Sequence, residues 1–377
     1  MTAKITFFPV GNGDMTLIAL ESGRKILIDL NIRADADDPN DTTPDVAKQL
    51  RERLERDESD RLFVDALLVS HPDKDHCTGL AKHFHLGSAS DWSKALDKIL
   101  IRELWSSPMV FRRASKNHIL CEDAKAFSAE ARRRVKYYKD GNLLKDGERI
   151  LILGEDQDGK SDGLDAILVR VDNQFSKVNG SEDWSMIGRL LAPIPKSDDD
   201  TEETLSKNHS STIIQFSLTG DGHSDMCRFL TGGDAEVAIW ERLWTRHEHR
   251  RDWLSYDVMQ TPHHCSWHTL SYDSWSEKGE DAQVCHAAKE ALSQSRGNAI
   301  IVASSKPIKA DDCDPPCTRA KREYVTMAEQ FLVTMEHPKE SAPAPLEIKI
   351  TQVGCTVIKQ ATIGSATIIS RPAPRAG

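Results

Sequence analysis

One short stretch of the sequence holds most of the residues that could perform chemistry. His71, Asp73, Asp75 and His76 lie within six positions, directly after the apolar residues 66–69. A short apolar run that is closed by a polar loop predicts a buried strand leading into a helix. Imidazole suits zinc, manganese and iron, and carboxylate favours harder ions. The strand end is therefore a candidate site for one or two divalent cations; an ordinary solvated loop is the alternative.

A second group of histidines follows another predicted strand. His263, His264 and His268 lie within six positions, with Ser266 between them. Packing alone explains such a cluster poorly, and neutral imidazole is a common metal ligand. At least one of these histidines is therefore expected to bind metal.

Other strand ends carry further polar groups. Asp234 follows two glycines, which would let its carboxylate approach an ion closely. His209 lies at a polar strand entry, where both a ligand and a surface histidine are open interpretations. Asp14 and Asp29 follow predicted turns and strands near the N-terminus. Both turn capping and support of an active site are open for these two acids.

Length and composition set the broader limits. The 377 residues suffice for one large domain or two, and the formal net charge of −10 argues against a surface covered by phosphate-binding groups. No apolar run is long enough for a transmembrane helix, and no secretory leader is visible. The eight cysteines are scattered, which predicts a reduced, cytoplasmic chain without membrane attachment.

Helices are predicted over residues 45–58, 91–104 and 121–140. The last of these also contains tyrosines, so it could bind a nucleic-acid backbone and stack on bases; a solvated helix face is the alternative. The candidate substrate-binding residues on this helix are Arg132, Arg133, Arg134 and Lys136.

Taken in order, several blocks resemble the metallo-β-lactamase fold, and most closely the cytosolic hydrolase domain of bacterial DNA-uptake (competence) channel proteins. The blocks are VGNGD, LIDL, SHPDKDHCTG, NHSSTIIQF, LTGGDAE and PHHCS, within residues 4–31, 65–80, 207–236 and 257–268. Two departures are Cys265, where glycine is usual, and one extra glycine before Asp234.

The resemblance implies an α/β fold, an αββα sandwich of two mixed β-sheets with outer helices and metals at one edge. Residues 1–377 would form a single domain, with insertions at about 81–145 and 173–206. The implied ligands are His71 and Asp73 for the first cation, Asp75 and His76 for the second, Asp234 as the bridge, His264 in preference to His263 as the last ligand, and His209 near the third histidine of most relatives.

The resemblance implies a metal-dependent hydrolase with two divalent ions, zinc or manganese, with magnesium as a further candidate. Two such ions can share a water and lower its pKa towards neutrality, which gives a hydroxide nucleophile. Asp75 could accept a hydrogen bond from that water. His268 and Lys74 are the candidates for protonating the leaving group.

The substrate is left open by a fold that hosts many hydrolases. The first hypothesis is a phosphodiesterase, a nuclease acting on DNA or RNA. The second is a hydrolase of a lactone, a thioester or a cyclic nucleotide, and the third is a metal-free interaction module. As a stand-alone hydrolase, the protein is expected to work with partner proteins of a multi-component system, for example in phage defence.

Overall fold

A computed structural model describes residues 1–37, 41–108, 120–154, 159–194 and 207–359.

The alternating direction of side chains along the central strands explains how the layers form. Ile26, Ile28 and Leu68 point into the core between two sheets, whereas Leu27 and Leu67 point to the opposite face. This period of two is the side-chain geometry of a β-strand that is buried on both faces.

The described residues of the first sheet form eleven strands, mostly in one continuous order. From edge to edge these are Leu168–Val169, Arg149–Leu153, Ile99–Ser106, Leu62–Val69, Lys25–Ile28, Thr16–Ala19, Lys4–Phe7, Leu346–Thr351 and Gly354–Val357, with Glu55–Arg56 beside Leu62–Val69 and Phe84–His85 beside Ile99–Ser106.

The second sheet has seven strands within the described ranges. In order these are Gln174–Phe175, Met186–Ala192, Ile213–Gly220, His223–Leu230, Tyr256–Gln260, Ser295–Ala303 and Gln330–Val333. Two small pieces lie outside both sheets, a Lys177–Val178 and Ser181–Glu182 ribbon and the bridge segment Leu30–Asn31.

Helices cover the outer faces of the two sheets. The core outside the first sheet includes Phe127 and Val135 of one helix, and the core outside the second includes Trp240 and Leu243 of another. The α-helices are Val46–Arg51, Lys74–Cys77, Leu80–His83, Glu122–Lys139, Val237–His247, Trp275–Lys278, His286–Leu292 and Thr318–Val325.

Apolar side chains from both sheets meet in one central core. Phe7 of the first sheet and Phe229 of the second pack edge to face, with ring centroids 5.7 Å apart. Two large mixed sheets with helices outside them were predicted, and this α/β architecture is confirmed. Within the described ranges, no helix has both the length and the apolar character needed to cross a membrane.

The helix predicted over 91–104 is wrong, whereas the insertion predicted over 81–145 stays a prediction. Ile99–Ser106 is instead a strand that pairs in parallel with Leu62–Val69 and Arg149–Leu153. Most of its residues are buried, so burial between sheet partners and layers decided the conformation.

Part of the second predicted insertion, 173–206, also belongs to the main fold. Met186–Ala192 pairs antiparallel with Ile213–Gly220 in the second sheet. The acidic run that suggested an insertion falls in residues 195–206, which lie outside the described residues. The helix predicted over 45–58 is shorter than expected, because it ends at Arg51 and Glu55–Arg56 is a strand.

Candidate metal centre

Loops from distant parts of the chain meet at one edge of the two sheets. The strand Leu62–Val69 leads to His71 and His76, and the strand Tyr256–Gln260 leads to His264. The rings of His71 and His76 have centroids 4.2 Å apart, and those of His76 and His264 are 5.3 Å apart. His71, His76 and His264, which the sequence predicted as ligands, therefore share one site.

Asp234 lies at the middle of this site and faces four imidazoles. Its Oδ1 is 2.9 Å from His76 Nε2 and 3.5 Å from His264 Nε2. Its Oδ2 is 3.5 Å from His71 Nε2 and 3.8 Å from His263 Nε2. A single buried carboxylate thus presents one oxygen to each of two histidine pairs.

Two groups of side chains have a geometry that could hold a cation. Within each group, one ligand atom from every residue lies within 4.8 Å of the others. The first group is Asp14, His76, Asp234 and His264, and the second is His71, Asp73 and Asp234. Because Asp234 belongs to both, the two candidate positions are adjacent.

Several buried atoms at this site lie 2.9–3.5 Å from a neighbouring polar atom without a hydrogen bond of good geometry. They are Asp14 Oδ1, His71 Nε2, His76 Nε2 and Asp234 Oδ1. A buried polar atom that is left unsatisfied costs about 1–3 kcal/mol. Imidazole nitrogens and carboxylate oxygens are suitable ligands for zinc and related ions. The donor set therefore fits a divalent cation, which would satisfy these atoms together.

The charges of the metal-free cluster are strongly coupled. Burial lowers the pKa of His264, but Asp234 and Asp14 outweigh this effect and raise that pKa to about 10. Burial likewise opposes the charged form of His76, whereas Asp234 and Asp29 raise its pKa well above the usual value. Protonated imidazoles thus balance the acids when no cation is bound, and a cation would displace those protons.

Two carboxylates lie near Nδ1 of His76 and of His264, whose Nε2 atoms face Asp234. Asp29 accepts hydrogen bonds from the Ser70 backbone N and Oγ at 2.6 and 2.7 Å, and its Oδ2 is 2.8 Å from His76 Nδ1. Asp14 Oδ1 is 3.2 Å from His264 Nδ1. Contacts of this kind fix the tautomer and orientation of a metal-binding imidazole.

Asp75 lies on the Nε2 side of the same ring. Its Oδ2 is 3.2 Å from His264 Nε2, and its side chain is 35% exposed. Asp14 instead contacts Nδ1, so one imidazole separates the two acids. We therefore assign Asp14 to positioning of His264, although it belongs to the first group, and keep Asp75 as a predicted ligand.

Backbone contacts hold the N-terminal loop against the other loops. The Asp14 backbone N donates to the Asp75 carbonyl oxygen at 3.2 Å, and Gly13 N lies at the same distance from His264 Nδ1. A Cβ on Gly13 would lie 2.1 Å from Asn31 Nδ2. Only glycine fits there, so the VGNGD block acts in close backbone packing.

The histidine pair lies in an unusual turn. His263, His264 and Cys265 have φ values of 48°, 52° and 69°, all in the left-handed region. Such backbone is rare for residues other than glycine and costs free energy that the surroundings must offset. His263 N donates to the Gly233 carbonyl oxygen at 2.9 Å, which ties this turn to the loop of Asp234.

Five predicted residues lie outside both cation-competent groups, namely Asp75, His263, His209, His268 and Lys74. His209 lies in the 3₁₀ segment Lys207–Ser210 and belongs to neither group. His268 is 47% exposed, with Nε2 3.9 Å from Asp314 Oδ2. The Lys74 side chain is exposed, while its backbone N donates to Asp73 Oδ1. Proton donation by His268 or Lys74 stays a prediction.

The helix Glu122–Lys139 uses its basic residues mainly for packing. Arg134 is fully buried and donates to Glu130 and to the carbonyl oxygens of Arg149 and Ile101. Its prediction as a substrate-binding residue is therefore wrong, because no substrate can reach it.

The other basic residues of this helix are closer to solvent. Arg133 donates to Glu130 and Glu148, and Lys136 donates to Asp140 at 2.7 Å. Arg132 has an exposed side chain. The ion pairs of Arg133 and Lys136 therefore compete with any substrate contact, and nucleic-acid binding by this helix stays a prediction.

Sequence reasoning missed one supporting residue, Glu236. Its Oε1 accepts a hydrogen bond from Asn208 Nδ2 at 2.8 Å and lies 3.9 Å from His263 Nδ1. Its position two residues after Asp234 was the available signal.

No family model matches this chain, and no curated protein matches its sequence.

Proposed function

We propose that this protein is a metal-dependent phosphodiesterase of the metallo-β-lactamase fold, a nuclease acting on DNA or RNA. The observation that carries the proposal is the placement of Asp234 between two pairs of imidazoles, with unsatisfied buried ligand atoms around it. Helices outside two facing sheets, with this site at strand ends, support the fold assignment.

The ligand residues divide into two sides. His71 lies towards Asp234 Oδ2, with Asp73 in the same group, and His76 and His264 lie towards Oδ1. Two bound divalent cations would lower the pKa of a water and neutralise charge that develops on a phosphoryl oxygen. Asp234 would hold the two cations at a fixed separation.

Asp75 is the carboxylate of this centre best placed to orient an attacking water. Its side chain is partly exposed, unlike that of the buried Asp234. A carboxylate at the edge of the centre can accept a hydrogen bond from an attacking water and orient it towards the substrate. Such a hydrogen bond would leave Asp75 still able to contact His264.

Positive side chains near the N-terminal loop favour a phosphate-bearing substrate. A Cβ on Gly11 would lie 3.9 Å from both Arg33 Nη2 and Lys306 Cγ, so both side chains flank this loop. Lys74 is exposed beside the ligands Asp73 and Asp75. These cations can bind phosphate oxygens in a protein whose net charge is negative.

The test is metal-dependent cleavage of single- and double-stranded DNA and RNA with manganese, zinc or magnesium. We expect cleavage by the wild type and a loss of at least about a hundredfold in His71→Ala, because a ligand is removed. The matched control is His286→Ala, since His286 is 87% exposed and belongs to neither cation-competent group.

Failure of the metal-loaded protein to cleave any of these nucleic acids would overturn the nuclease assignment. A parallel screen with a lactone, a thioester and a cyclic nucleotide would then decide whether the same centre hydrolyses small molecules. Activity in that screen that depends on His71 would replace the proposed substrate while keeping the metal-dependent hydrolase.

A further inference from the structure

The two histidines of the pair His263–His264 approach different oxygens of Asp234. His264 Nε2 approaches Oδ1 at 3.5 Å, whereas His263 Nε2 approaches Oδ2 at 3.8 Å. His71 Nε2 approaches the same Oδ2 at 3.5 Å. Ligand atoms that share a tetrahedral zinc ion lie about 3.4 Å apart, because each bond is about 2.0–2.1 Å long. His263 therefore lies near the His71 side, although it belongs to neither cation-competent group of the metal-free structure.

The backbone of the turn explains how neighbouring residues face different oxygens. His263 and His264 have φ values of 48° and 52°, and their rings are inclined by 73° with centroids 6.0 Å apart. In an extended strand, adjacent side chains would point to opposite faces. The left-handed turn instead directs both side chains at a single carboxylate.

His263 also has a carboxylate near its Nδ1, although this carboxylate lies beyond hydrogen-bond distance. Glu236 Oε1 is 3.9 Å from His263 Nδ1, and Asn208 Nδ2 holds that oxygen at 2.8 Å. Asp29 and Asp14 lie closer to Nδ1 of their own histidines, at 2.8 and 3.2 Å. A carboxylate at Nδ1 leaves Nε2 free for a metal.

We propose that both histidines of the pair are metal ligands, His263 for the cation at His71 and Asp73, and His264 for the cation at His76. This inference depends on the metal centre of the proposed function. Glu236 is the positioning residue of His263, and Asn208 fixes Glu236. His263 thereby supplies the imidazole for which His209 was the sequence-based candidate.

The test is metal stoichiometry, measured by elemental analysis and calorimetry after chelator treatment and reloading with manganese or zinc. We expect two cations per chain for the wild type and one for His263→Asn, because asparagine tolerates a left-handed backbone but removes the imidazole. His263→Ala checks that asparagine does not itself bind the ion. His264→Asn is expected to lose the other cation.

Matched controls separate this inference from its alternatives. The variants His209→Ala and His268→Ala are expected to keep both cations. Glu236→Gln is expected to lower the affinity for one cation about 10–100-fold. Circular dichroism would establish that each variant is folded. Cobalt loading adds a spectroscopic readout, since loss of one imidazole changes the absorption of one ion only.

Two cations bound with wild-type affinity by both His263 variants would overturn the inference, as would loss of a cation in His209→Ala. A wild type that binds no cation would overturn both the inference and the metal centre. A wild type that binds two cations but cleaves no nucleic acid would overturn only the proposed substrate.

Discussion

Asp29 influences the candidate metal centre without facing the cation positions. It is fully buried, and it accepts two hydrogen bonds from Ser70 while its Oδ2 contacts His76 Nδ1. Three interactions fix the carboxylate, and the carboxylate in turn fixes the ring. The contact of Asp29 with Nδ1 therefore orients the ring so that His76 Nε2 points towards Asp234.

Asp29→Asn is expected to lower metal affinity about 10–100-fold with little loss of fold, because an amide cannot accept from both Ser70 and His76. The backbone tolerates this change, since Asp29 has φ 54°, where asparagine is also favoured. Calorimetric titration with manganese measures the effect. Asp165→Asn is the control, because Asp165 is 79% exposed; equal affinities in both variants would contradict the role given to Asp29.

Residues of the site were largely predictable because their spacing is local. His71, Asp73, Asp75 and His76 follow one strand, so any fold that buries this strand brings them together. The contact of Asp14 with His264 joins positions 250 residues apart, and no local pattern specifies it.

At the scale of elements, two turns must pack closely for the centre to form. A Cβ on Gly232 would lie 2.6 Å from Pro262 Cγ, so the loop of Asp234 touches the turn of His263. The extra glycine in LTGGD is therefore a packing requirement. Gly233, the second of the two, has φ 47° and directs the backbone towards Asp234.

Gly232→Ala is expected to destabilise the protein by about 1–3 kcal/mol, because the methyl group forces these two turns apart. Metal affinity should fall in the same variant. The control is Gly297→Ala, since a Cβ there would meet nothing within 4 Å and Gly297 also lacks a positive φ. Denaturant unfolding measures the free energy of unfolding of the two variants, and equal values would contradict the close packing.

The helix Glu122–Lys139 is attached to the first sheet through Arg134. Its guanidinium donates to the carbonyl oxygens of Arg149 and Ile101, which lie in neighbouring strands. Arg134→Ala is expected to cost about 3–5 kcal/mol, as for other broken buried ion pairs, while metal stoichiometry stays unchanged.

Arg132→Ala is the matched control for this helix, because Arg132 is exposed and surface changes usually alter stability by less than about 0.5 kcal/mol. Both variants would be compared by denaturant unfolding and by metal content. A stable Arg134→Ala protein with reduced nucleic-acid binding would restore the original prediction for Arg134.

Strand and helix boundaries show where sequence patterns fail. Apolar residues at 99, 100, 101, 104 and 105 suit a helix face, yet this segment is a strand buried between two parallel neighbours. Glu103 fits there only because Trp105 Nε1 and Asn179 N donate to it. Such partners come from the tertiary fold, so periodicity alone could not reveal them.

For the whole molecule, the candidate centre is a buried concentration of charge. Asp14, Asp29 and Asp234 are each at most 2% exposed, and they face three buried histidines. A cation that binds only the folded chain adds free energy of unfolding equal to RT ln(1 + [L]/Kd), about 2.7 kcal/mol at a hundred times Kd. Global stability is therefore linked to metal occupancy.

Removal of metal with a chelator is expected to lower the midpoint of thermal unfolding, and excess manganese or zinc should restore it. The reason is that protons alone then balance the buried acids, and the ligand atoms around Asp234 lose their shared partner. Asp234→Asn should abolish this difference, because the residue common to both cation-competent groups is changed. Asp165→Asn should retain it. Equal chelator effects in Asp234→Asn and the wild type would place the stabilising cation elsewhere in the molecule.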